Sequence, residues 1–259
     1  LVETNSIYIG NDPSTTTDDA QYNIAVGTTA LDAVTTGDGN TATGHSALGS
    51  NTEGYNNTAM GYQALRDNTT GINNTALGRA TLATSTGGYN TATGSYALAG
   101  NNTGDGNVGV GFEALKANTT ADYNTSVGYQ SMYSNTTGNY NAAMGKFALK
   151  ANTTGNYNAA FGANALTFNT TASANTALGF NTLVMNTTGS YNTATGRGAL
   201  YYNTTGTYNS ASGSAALRLN TTGSYNTGIG ARALDANTEG EKNTVVGHYA
   251  GGLNTTGDG

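Results

Sequence analysis

The side chains able to do acid–base, nucleophilic or metal chemistry are few and scattered. The only histidines are His45 and His248, twelve repeats apart, and neither sits near a nucleophile and a carboxylate that would complete a relay. Cysteine is absent, which excludes a disulfide framework and thiolate metal sites. A calcium-binding repeat needs an Asp at a fixed place in each unit. The acids here, such as Asp38, Glu53, Asp105, Asp122 and Glu239, are irregular. The stretch Gly104-Asp-Gly-Asn-Val-Gly-Val-Gly111 resembles a phosphate loop only in glycine content, because no Lys-Ser or Lys-Thr follows and no helix is expected. This inventory predicts no enzyme, no cofactor and no metal.

Nine Asn-Thr-Thr triplets, at Asn68, Asn118, Asn135, Asn152, Asn169, Asn186, Asn203, Asn220 and Asn254, fit the N-glycosylation pattern. Their regular recurrence favours a structural role, since acceptors on adjacent coils of a β-solenoid lie only about 4.8 Å apart.

Composition points to an unusual scaffold. Of 259 residues only 9% are charged, the net charge is -6 and 38 are Gly. An ordinary soluble domain has about 25% charged residues. Asn, Thr and Gly take their place, so order must come from repetition. Nine Lys and Arg spread over the chain make no phosphate-tracking stripe, so no nucleic-acid partner is expected. No apolar run approaches the length of a membrane helix, and no membrane insertion is expected.

The repeat sets everything else. A glycine recurs from Gly10 and Gly27 to Gly247 in 15 units, each step 17 residues except the 16 from Gly78 to Gly94. The unit reads Asn-Thr-Ala-x-Gly-x-x-Ala-Leu-x-x-Asn-Thr-Thr-Gly-x-Tyr, numbered here one to seventeen. It is too short for two-helix repeats and rich in poor helix formers. The expected fold is all-β: one continuous parallel β-solenoid over residues 1–259, of about 15 coils. Positions one to five are expected as one strand, seven to eleven as a second, and twelve to fourteen as a third strand or a corner. Glycines at five and fifteen mark turns where a Cβ would clash.

Alternation assigns faces. Position four is apolar in 11 of 15 coils and position nine is Leu or Met in 13, so both columns are expected in the core. Position three, usually Ala, then points outward against a neighbouring chain. The Asn column at position one (Asn57, Asn74, Asn124, Asn141, Asn158, Asn175, Asn192) is expected to form an amide ladder, and the Tyr column at seventeen a partial stack. Ice binding would need Thr at positions two and four together. That occurs only at Thr41/Thr43, Thr91/Thr93 and Thr193/Thr195.

The segments Asn57-Thr-Ala-Met-Gly61 and Asn175-Thr-Ala-Leu-Gly179 resemble the head repeats of trimeric autotransporter adhesins (YadA-like). The fuller unit is similar to repeats in bacteriophage tail-fibre and large bacterial surface proteins. The resemblance implies a left-handed roll, trimeric association and a place outside the cell, on its surface or on a virion.

The variable positions six, seven, ten and eleven form a candidate contact surface: Phe112, Tyr129, Tyr133, Phe147, Phe168, Met185, Tyr201 and Tyr202. Sister chains are the expected partner, a receptor or glycan the alternative. Together these readings give a structural shaft of an adhesin, phage fibre or extracellular filament, assembled laterally as a homotrimer or head to tail. A glycan-, receptor- or ice-binding module is the second reading. Open sheet edges at the ends are expected to recruit further strands, with Pro13 and Ser14 part of a modified first coil.

Overall fold

The computed structural model describes residues 2, 3, 5–10 and 20–259, so Pro13 and Ser14 lie outside the described residues. Two compact units divide the chain, Leu1–Asn124 and Thr125–Gly259. In the first, β1 (Val2–Glu3) pairs antiparallel with β2 (Ser6–Ile9). Then β3 (Ile24–Val26), β4 (Thr41–Thr43), β5 (Thr58–Met60), β6 (Thr75–Leu77), β7 (Thr91–Thr93) and β8 (Val108–Val110) follow in parallel. The second unit continues with β9 (Thr125–Val127), β10 (Ala142–Met144), β11 (Ala159–Phe161) and β12 (Thr176–Leu178), also parallel. Its last strands are β13 (Thr193–Thr195), β14 (Ser210–Ser212), β15 (Thr227–Ile229) and β16 (Thr244–Val246). The fold is therefore a parallel β-solenoid, one strand per coil from β2 to β16, without a helix among the described residues. Like pairs with like: Thr58 with Thr75, Ala59 with Ala76, Met60 with Leu77.

Two expectations are corrected. The first concerns positions seven to eleven, expected as a strand, which are turns, while positions twelve to fourteen form the corner rather than a third strand. Positions seven and nine lie in the left-handed region, as at Ser46 (φ 55°) and Leu48 (φ 50°). Leaving the extended conformation lets neighbours eight and nine both point inward, which a strand forbids. Ala47 and Leu48, Ala64 and Leu65, Ala199 and Leu200 are all fully buried. Left-handed backbone costs an L-residue roughly 1–2 kcal/mol. Inter-coil bonds hold it in place: Ser46 N–H donates to Thr28 O (3.0 Å) and Leu48 N–H to Ala64 O (3.0 Å).

The second correction is the strand's facing. Position three is inside: Ala25, Ala42, Ala59, Ala76, Ala177 and Ala194 are fully buried. Position four is outside, with Met60 46%, Met144 51%, Leu178 49% and Ile229 45% exposed. The reason is thickness. The Leu column at position nine fills the interior and packs up to the strand: a Cβ added to Gly109, at position three, would sit 3.2 Å from Leu98 Cδ1 in the preceding coil. Only Ala or something similar fits between the strand and that Leu. The end coil differs, with Tyr8 buried where Ala usually stands.

Two asparagine columns line the same interior. Those at position one are buried, and each is tied to the coil before it. Asn175 N–H and Nδ2 donate to Asn158 Oδ1 (3.1 and 3.3 Å), and Asn175 Nδ2 also donates to Gly189 O (3.0 Å). At position twelve, Asn186 Nδ2 donates to Asn169 Oδ1 (2.9 Å) and to the same Gly189 O (2.8 Å). One carbonyl at position fifteen thus accepts from both columns. Burial of these polar groups is tolerated because donors and acceptors are matched along the axis. Two position-twelve oxygens are exceptions, Asn68 Oδ1 and Asn237 Oδ1, which are buried without a hydrogen-bond partner; at Asn68 the cause is the 16-residue coil, which places Ser85 where Asn belongs.

Glycine is required at position five for two reasons. At Gly145 φ is +136°, and an added Cβ would lie 2.6 Å from the Gly162 carbonyl of the next coil. Position fifteen is less strict, since Ala20, Ala121 and Ala172 occupy it.

Candidate interaction surfaces

The strand face is set by positions two and four, which alternate outward around the buried position three. Across β2–β16 neither position carries a Lys, Arg, Asp or Glu. Position four supplies large apolar groups, with Phe161 37% and Val246 70% exposed besides those above. The Thr pairs Thr41/Thr43, Thr91/Thr93 and Thr193/Thr195 point outward together. Coils with apolar residues at position four separate them, so no continuous threonine lattice forms.

The turn face carries positions six, seven, ten and eleven. Phe112, Tyr129, Phe168, Met185 and Tyr202 are exposed there, and Tyr133, Phe147 and Tyr201 half-buried. They do not make one patch. Phe147, Phe168 and Tyr201 line a groove of about 480 Å³ with Val184, Lys150 and Asn181. Met185 and Tyr202 line a second groove of about 410 Å³ with Leu219 and the position-thirteen threonines Thr204, Thr221 and Thr238. Local contacts join others in pairs: Tyr129 meets Phe147 edge-on at 5.6 Å and Tyr201 meets Tyr202 at 4.6 Å.

The predicted contact set overlooked the cations of this face. Eight of the nine Lys and Arg fall at positions six, seven or ten, Lys242 being the exception. Sorting charges by repeat position, rather than counting them, would have found them. Several lie against the rings, with Lys150 Nζ 4.5 Å and Lys146 Nζ 4.8 Å from the Phe147 ring centre and the Arg79 guanidinium 5.3 Å from that of Tyr96. Among the described residues three cations are paired to acids: Arg66 with Asp67, Lys116 with Glu113 and Arg218 with Asp235. Hydrogen bonds to Asp67 and Asp235 raise the Arg66 and Arg218 pKa values above their ordinary value.

Five acids, Asp38, Asp105, Asp122, Glu241 and Asp258, stand at position sixteen, where several serve the backbone. Asp122 Oδ1 accepts from Asp105 N–H (2.8 Å) in the preceding coil, and Asp38 does the same for Gln21 N–H (2.7 Å). Asn156 and Ser173 fill the same role elsewhere. Next to them the Tyr column stacks as expected in part: Tyr140 on Tyr157 at 5.4 Å, and Tyr191, Tyr208 and Tyr225 in series at 4.8 and 5.1 Å.

The remaining chemically capable residues are accounted for locally. His45 Nδ1 lies 2.9 Å from Ser46 Oγ, and its ring stacks on Tyr62 at 5.4 Å. Among the described residues no three His, Cys, Asp or Glu side chains cluster as a metal set. Eight of the nine Asn-Thr-Thr asparagines are fully buried in the position-twelve ladder, the other being Asn254. No protein-family model matches the chain, and no curated protein is similar to it in sequence.

Proposed function

We propose that this chain is a structural shaft that associates laterally with further copies of itself through its strand face. The observation that carries this is the uncharged outward column at positions two and four. Parallel sheets are almost always covered on both faces. Here one face packs on Leu and Ala, while the other leaves Met144, Leu178 and Ile229 about half exposed. A contiguous exposed apolar patch marks an interaction surface, and no charged residue interrupts this one. A second copy presents the same strand spacing, so it matches the column coil by coil. The threefold arrangement implied by the resemblance to adhesin heads is the closed form such a contact would take, and a surface adhesin, phage fibre or extracellular filament its setting. Sedimentation tests the reading. The chain should be multimeric at micromolar concentration, and M144K/L178K should be monomeric with an unchanged circular-dichroism spectrum. A monomeric parent chain would refute it.

A further inference from the structure

We propose that the second unit binds an acidic polysaccharide along its turn face. The net charge of -6 conceals a division. Residues 125–259 carry six Lys and Arg against four Asp and Glu, a net of +2, and residues 1–124 hold the remaining -8. No Asp or Glu occurs between Asp122 and Asp235, whereas five cations do. All five stand at positions six, seven or ten, so repetition delivers them to the turn face and away from the strand face.

Two adjoining grooves receive four of them, all but Lys146. The first, of about 480 Å³, has walls of Phe147, Phe168, Val184 and Tyr201. The second, of about 440 Å³, contains Arg197, Arg218 and Arg232. Asn181 and Tyr201 line both, so the grooves are continuous. Arg218 is held by Asp235 at 2.9 Å, and Arg197 and Arg232 have no carboxylate partner among the described residues. Arg232 lies instead over the Tyr249 ring at 5.8 Å. In the apolar groove Asn164 Nδ2 donates to Asn181 Oδ1 (2.8 Å), which orients a pair of amides in its lining.

This combination selects a sugar polymer bearing acid groups. Aromatic rings accept the apolar C–H faces of a sugar ring, and side-chain amides match its hydroxyls. Guanidinium groups bind a carboxylate or a sulfate ester by paired N–H donors. The charge spacing argues against nucleic acid. A duplex carries one charge per roughly 1.7 Å. Lys150 and Arg197 lie three coils apart, about 14 Å at the strand spacing, with no cation between them. Arg197, Arg218 and Arg232 stand in successive coils, about 4.8 Å apart along the axis, and a polymer with an acid on each sugar ring, spanning the uncharged stretch by its ring faces, fits that pattern. The site uses none of the strand-face side chains, so it is compatible with lateral assembly and independent of it.

Affinity electrophoresis of the full chain tests the proposal, with polygalacturonate, dextran sulfate, neutral dextran and single-stranded poly(dT) in the gel. One or both acidic glycans should retard the chain and neutral dextran should not; the more retarding glycan identifies the acid group as uronate or sulfate. R197S/R232S should weaken binding about tenfold or more, F168A should weaken it several-fold, and K242A, which removes the one cation off this face, should leave it unchanged. Circular dichroism of each variant establishes folding. The proposal fails if neither acidic glycan retards the chain, if neutral dextran retards it equally, if poly(dT) binds as tightly as the glycans, or if K242A weakens binding as much as R197S/R232S.

Discussion

Replacing Asn158 by Ala removes one rung of the position-one ladder, and the cost can be worked from its bonds. Asn158 Nδ2 donates to Asn141 Oδ1 (3.1 Å) and Ala172 O (2.9 Å), and Asn158 Oδ1 accepts from Asn175 N–H (3.1 Å) and Nδ2 (3.3 Å). Three of the partners keep another bond in the variant. Asn141 Oδ1 still accepts from Asn158 N–H, Ala172 O from Asn169 Nδ2, and Asn175 Nδ2 still donates to Gly189 O. The Asn175 backbone N–H loses its acceptor while buried. An orphaned buried donor costs about 1–3 kcal/mol and each of the three partly compensated bonds about 0.5–1, giving about 2.5–6 kcal/mol in all. Because stability in a solenoid is a sum over neighbouring coils, the loss should be local. Hydrogen exchange is the assay: the Asn175 amide should lose protection, while the amides of Asn209 and Asn226 should keep theirs. A loss below about 1 kcal/mol with Asn175 still protected would refute the ladder as a source of stability. Asn158→Asp sharpens the test. It places a carboxylate against the acceptors Ala172 O and Asn141 Oδ1, so its folded pKa should rise above the unfolded value of about 3.9. The protonated form is then favoured on folding. Stability should be greatest below the unfolded pKa and be lost as pH rises through the folded pKa.

Gly145→Ala should destabilise the chain by about 3 kcal/mol or more, because a Cβ there meets the Gly162 carbonyl and the backbone is left-handed; chemical denaturation reads this, and a change below about 1 kcal/mol would contradict it. Ser85→Asn should stabilise by about 1 kcal/mol by giving the orphaned Asn68 Oδ1 a donor, seen as a rise in Tm; a fall would mean that the shortened coil cannot hold the larger side chain.

The repeat made the coil number, the Asn ladders and the glycine turns readable, because each rests on a residue type that recurs at a fixed place. The facing of the strand was misread because size was taken as the sign of burial. Variation was the better sign: position four takes Ile, Val, Thr, Met, Leu, Phe and Ser, while position three is Ala, Gly or Ser in every coil from Ala25 to Gly228. The turn geometry was not readable, since Leu48 or Leu65 in a left-handed conformation contradicts local preference and is imposed by the coils on either side. The antiparallel β1 left no signal in the repeat because it lies before the first unit. The grooves of the turn face were half readable: the aromatic residues stood out singly, but that Phe147, Phe168 and Tyr201 line one groove, and that Met185 lines another, depends on side-chain directions within the turns.

The absence of native cysteine allows one measurement to test both the facing and the assembly. Three single-cysteine chains are labelled with a thiol reagent, dilute and concentrated: S126C at buried position three, L178C at outward position four, and Y191C on the tyrosine column. The account predicts that S126C is unreactive in both conditions and Y191C reactive in both. L178C should be reactive when dilute and protected when concentrated, as copies cover the strand face. Labelling of S126C in the folded chain, or equal labelling of L178C at both concentrations, would contradict it.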